Sequence, residues 1–103
     1  MPESDPRRLA GALGLVRRAG KLAVGAPLVL EALRRGKAAV VILASDASEN
    51  GAKKILALAA HKQAKVVRCG LDKNALSHAV GVKRAVAAVS APAEFETLVS
   101  TSL

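Results

Sequence analysis

The chain has 103 residues, 51% of them hydrophobic, with Phe95 as the single aromatic and 16 Lys and Arg against 8 Asp and Glu, a net charge of +8. That length suits one domain over 1–103 and is too short for two, and the composition is that of a folded chain and not a disordered one. A single aromatic excludes the stacking platforms that grip unpaired bases, while the cationic excess suits a polyanion, most commonly nucleic acid, or else an acidic partner.

The first residues, 1–6, read as a loose start in which Asp5-Pro6 supplies a helix cap and a first-turn proline. Leu9, Leu13 and Val16 then recur at helical spacing, Arg17 and Arg18 fall in the last turn where cations suit the dipole, and Gly20 ends the helix. Residues 21–24 form a short strand, broken by Gly25. Ala26-Pro27 opens a second helix with Leu30 and Leu33 inward, stopped at Gly36. The run at 38–44 is continuous and β-branched, the pattern of a strand buried on both faces. After a polar crossing, Ser48 or Asn50 caps a third helix over 51–62 with Ile55, Leu56, Leu58 and Ala59 as its apolar positions. A third, buried strand at 65–69 ends in Cys69. Asp72 caps a short helix over 73–80, and Gly81 leads through Val82-Lys83-Arg84 into a strand at 85–89. Ser90 and Pro92 begin a last helix, to about Val99. This alternation predicts an α/β fold, a three-layer α-β-α sandwich around a mixed four-stranded sheet.

Catalytic and metal chemistry find little support. His61 reads as a solvated helix-end residue and His78 as a surface one, no carboxylate pair stands out, and neither a phosphate loop nor a dinucleotide fingerprint is present. Cys69 cannot form an internal disulfide, lacks companions for zinc and reads as core. No enzyme activity, cofactor, metal or small-molecule substrate is therefore expected. Residues 1–24 lack the apolar stretch of a signal peptide, and the run at 38–44 is too short to cross a bilayer, so a cytoplasmic protein without a membrane partner is expected. Gly25, just before a helix start, and Gly81, before the basic Lys83-Arg84 loop, are positions where a nucleic-acid backbone can come close; each also reads simply as a turn or cap glycine.

Three segments, LGLVRRAGKLAVG at 13–25, VVILASDAS at 40–48 and LSHAVGVKRAVAAV at 76–89, resemble the L7Ae ribosomal-protein family, and most closely its short bacterial YlxQ-like branch, over roughly residues 8–100. The resemblance implies a three-layer α-β-α sandwich that binds kink-turn or ribosomal RNA without a cofactor or reaction. It places the RNA-facing edge at residues 25–31, 46–48 and 81–84. Within it, Gly25, Ala26 and Pro27 open the second helix, Ser48 lies in the crossing, Lys73 faces a flipped-out nucleotide, and Gly81, Val82 and Arg84 shape the last loop. Arg17, Arg18, Lys21 and Lys83 join these as expected phosphate contacts. Where kink-turn binders carry a small residue, Asn, Glu and then Lys after the glycine, this chain has Ala26, Pro27, Leu28 and Glu31. Proline and leucine offer no side-chain hydrogen bond to a guanine edge. Two other functions fit the same fold: a protein-interaction adaptor that uses an exposed Leu28, and an accessory substrate-recognition piece of an RNA methyltransferase.

Overall fold

Four apolar side chains at helical spacing build the first element. In the computed structural model, which describes residues 6–102, Leu9, Ala12, Leu13 and Val16 are buried along α1 (Pro6–Arg18), the stripe that one inward-facing side of a helix requires. The helix takes in Pro6; Asp5, its expected cap, lies outside the described residues. Gly20 N–H donates to Arg17 O at 2.9 Å and Lys21 N–H to Val16 O at 3.1 Å, the paired closure of a Schellman cap. Because Lys21 is spent on that cap, β1 is only Ala23–Val24 and does not begin at Lys21.

The chain continues through α2 (Ala26–Arg34), β2 (Val40–Leu43), α3 (Glu49–Lys62), β3 (Lys65–Arg68), α4 (Lys73–Val80), β4 (Ala88–Ala91), a 3-10 turn (Ala93–Phe95) and α5 (Glu96–Thr101). The sheet order is β1-β4-β2-β3. β2 and β3 run parallel, and β4 runs antiparallel to both β1 and β2, so the sheet is mixed. Val41 sits between Val66 and Ser90, and Ile42 between Val67 and Val89. Period-2 alternation then divides the core in two. Val40, Ile42, Val89 and Ala91 pack with residues of α1, α4 and α5. Val41, Leu43 and Ala88 pack with residues of α2 and α3. The result is the three-layer α-β-α sandwich.

β2 is buried along its whole length, as its unbroken apolar run predicts. Five details differ from the sequence reading. β3 is an edge strand and half exposed, because its outer side has no neighbour; Cys69, just beyond it, is nonetheless buried. β4 starts at Ala88 and not at Ala85, since Val86 N–H turns aside to Lys73 O at 3.3 Å. Ser90 belongs to β4, so the last helix waits for the proline-led 3-10 turn and starts at Glu96. α2 turns Val29 and Leu33 inward, leaving Leu30 half-buried, because residues four apart stack on one helix face and the Val29–Leu33 row is the one that meets the sheet. Leu56 of α3 is exposed, since α3 buries Ala52, Ile55 and Ala59 instead. No described helix is long and apolar enough to cross a membrane.

Candidate nucleic-acid interface

The strand directions gather four connections at one end of the sheet. β1 and β2 finish there, as does β3, while β4 starts there. The start of α2, the crossing at 44–48, the crossing at 69–72 and the loop at 81–87 therefore share that end. Hydrogen bonds tie them together. Ser45 N–H donates to Leu71 O at 2.8 Å and Ala44 N–H to Ala87 O at 2.8 Å. Gly25 N–H donates to Ala88 O at 2.8 Å.

Gly25 is the N-cap of α2, with φ 96 and no side-chain cap bond. The left-handed region at this position favours glycine. A Cβ there would lie 3.6 Å from Arg84 Nη2, so the guanidinium lies over the opening turn of α2. A cation beside the positive end of a helix dipole gains nothing from the helix and leaves both available to an anion. Pro27 removes one N–H from that turn and Leu28 is 54% exposed.

α4 begins differently. Its first residue, Lys73, donates its N–H to Asp46 Oδ1 at 2.8 Å, and Asp72 Oδ1 accepts from Ala75 N–H at 2.8 Å. Two carboxylates of the chain thus occupy the anion-favouring end of α4, and the half-buried Lys73 stands among them. Ser48 caps α3 by accepting from Gly51 N–H at 3.2 Å. Arg68 reaches across from β3 to donate to Ala44 O, Ser45 O and Ala47 O at 3.3, 3.3 and 3.4 Å. This brace holds the crossing in shape. Sequence reasoning missed it because the carbonyls lie 21 to 24 residues away along the chain, beyond any local pattern.

Arg17 extends the cationic border along α1. Its Nη1 donates to Gly81 O at 3.2 Å, and a Cβ on Gly81, at φ 78, would lie 2.7 Å from that nitrogen. Arg18 and His78 line the same shallow groove between α1 and α4. Arg17 is thereby joined to the loop that carries Lys83 and Arg84, both exposed. Val82 points inward against the core and its N–H is bonded to Ser77 O at 3.0 Å, so it shapes the loop and presents no polar group.

The fold therefore brings Gly25, Ala26, Pro27, Ser48, Lys73, Lys83 and Arg84 to one end, with Arg17, Arg18 and Gly81 as a shoulder. Lys21 does not join them. It lies before β1, at the other end of the sheet, in a groove with Arg35, Lys37 and Glu94. The four steps from Lys21 to Gly25 span up to roughly 13 Å of extended chain. Among the described residues no group of His, Cys, Asp and Glu is placed to hold a metal ion.

Fold and site together define an α-β-α sandwich with a cationic loop end. The chain belongs to the ribosomal protein L7Ae/L30e/S12e/Gadd45 family, which it matches over residues 7–97. Over 55 residues it is 42% identical to a protein named RNA-binding protein YlxQ from Enterococcus faecium, a stretch covering 53% of each chain. A solved Bacillus halodurans protein of unknown function is similar with a TM-score of 0.79 and 29% identity over 97% of both chains. The Giardia lamblia 15.5kD RNA binding protein shares the fold, with a TM-score of 0.69 and 23% identity over 99% of this chain and 89% of its own.

Proposed function

We propose that the chain binds structured RNA, such as a kink-turn-like or ribosomal element, through this loop end. In this reading the chain acts in the cytoplasm as one unit and has no catalytic step of its own. The observation that carries the reading is the continuous line from Arg17 on Gly81 through the 81–84 loop to Arg84 over Gly25. It sets cations and a helix start where phosphates of a bent backbone can be met together. Family membership and the name of the Enterococcus relative support RNA as the polyanion.

The contacts proposed here favour backbone and shape over base edges. Pro27 and Leu28, at the first turn of α2, present no donor or acceptor side chain, and the start of α4 is already engaged by Asp46 and Asp72. Titration of the protein against a kink-turn RNA, and against the same duplex with its G·A pairs replaced by Watson–Crick pairs, at two salt concentrations tests this. Binding to both, weakened steeply by salt, is expected. Strong preference for the kink-turn would show that base readout survives without the polar pair, and no binding to either would remove RNA as the ligand.

A further inference from the structure

A second surface runs along the outer edge of the sheet, from Leu28 in the first turn of α2 to Lys37 beyond its last. Between α2 and the free edge of β1 runs a groove of about 820 Å3. Leu22, Ala23, Leu28, Ala32, Pro92 and Ala93 supply its apolar lining. β1 is an outer strand of the sheet. Its Ala23 is aligned with Ser90 and Gly25 N–H bonds to Ala88 O. The alternation of an antiparallel pair then turns the backbone N–H and C=O of Leu22 away from β4 and toward the open side. Ser90 also lines the groove; it is only 2% exposed, and its hydroxyl has no hydrogen-bond partner. An unpaired buried hydroxyl costs free energy that a bound donor or acceptor recovers.

The rim selects the occupant. Glu31 is matched by Arg35 at 2.7 Å and Arg34 at 3.6 Å. Lys21 and Lys37, which form no ion pair among the described residues, then face only Glu94. The chain's net charge of +8 opposes a second copy of itself. An apolar floor offers few contacts to a phosphate backbone and suits RNA poorly. The geometry points to a docking groove for an extended segment of an acidic protein partner, its alternate side chains apolar toward Leu28 and Ala32 and carboxylate toward Lys21 and Lys37. This is the edge-strand mode of peptide recognition, with main-chain pairing at Leu22 and side-chain pockets beside it. It stands apart from the RNA reading, and one surface can fail while the other holds.

The test is an amide NMR titration of the full chain with a short peptide of alternating glutamate and valine. Controls are the same peptide with lysine for glutamate, the peptide with serine for valine, and the kink-turn RNA. Shifts confined to Leu22, Ala23, Ala32, Ala93 and Glu94, given by the acidic peptide alone and weakened by salt, are expected. Leu28→Ser is expected to weaken this binding about tenfold, from the apolar area removed, and Lys37→Glu to weaken it while leaving RNA affinity unchanged. Ser90→Ala is expected to weaken it about fivefold, one hydrogen bond's worth, with a melting temperature unchanged or raised. Equal binding of the lysine peptide, shifts outside the groove, the same groove residues shifted by RNA, or concentration-dependent shifts of the protein alone would each overturn the proposal.

Discussion

Gly81 shows how one residue couples stability to the proposed contact. Its left-handed φ makes any Cβ unfavourable, and the Cβ of Gly81→Ala would also press on Arg17 Nη1. Since the end of an arginine moves easily, the backbone term of about 1–2 kcal/mol sets the stability loss. The displaced guanidinium is expected to weaken RNA binding as well. Gly36→Ala is the control, with φ 70 but nothing within 4 Å of the added Cβ. Calorimetry is expected to show similar losses for both variants, whereas only Gly81→Ala lowers RNA affinity. Equal RNA affinities would detach Arg17 from the interface. Cys69 gives a prediction against pH. Burial pushes its thiol up from the ordinary 9.0, outweighing the backbone hydrogen bonding at Leu71 and at Cys69 itself that favours the thiolate. Above that ordinary value the unfolded chain sheds its proton while the folded chain keeps it. The thiol's share of stability is therefore intact below about pH 9 and is lost as pH rises beyond it. The alkaline fall in melting temperature is expected to be shallower in Cys69→Ala than in the natural chain; parallel falls would mean the thiol is not held protonated.

At the scale of elements, the ends of helices are where sequence and structure engage most closely. α1, α2 and α4 each close on a left-handed glycine, whereas α3 closes on Gln63 at φ 60. Gln63 N–H donates to Ala60 O and Ala64 N–H to Ala59 O, so the closure is the same and only the residue type is strained. Gln63→Gly is expected to stabilise by about 1 kcal/mol, a rise of roughly 4–8 °C in melting temperature for a domain of this size. No rise would mean that the αL geometry costs the glutamine nothing. The Arg68 brace is the other element-scale device. Removing it in Arg68→Met leaves three carbonyls of the 44–47 crossing without that donor, and a loss of about 1–3 kcal/mol is expected in urea unfolding. A loss within error would mean that water replaces the guanidinium at no cost.

Across the whole molecule, charge is divided between ends. The loop end combines Arg17, Arg18, Lys73, Lys83 and Arg84 with Asp46 and Asp72, while Lys21, Arg35 and Lys37 belong to the groove beyond α2. Lys83→Ala combined with Arg84→Ala is expected to weaken RNA binding and to flatten the slope of log K against log salt by roughly 1.5–2, because two phosphates are no longer neutralised. An unchanged slope would remove the loop from the interface. The order of elements, the two-faced burial of β2, the Asp72 cap of α4 and the stops at Gly20 and Gly36 follow from the sequence. Each is set by neighbours within a few residues through periodicity, capping and backbone preference. The family-bearing segments likewise led to the loop end as the proposed interface. Tertiary structure alone decided that β3 is an edge, that β4 starts three residues late, and that Lys21 and Gly25 lie at opposite ends of β1. It also decided that Asp46 caps a helix 27 residues away and that Arg68 braces the crossing after the neighbouring strand. These depend on which strands become neighbours and on long side chains reaching across the fold, and no local pattern in the chain encodes either.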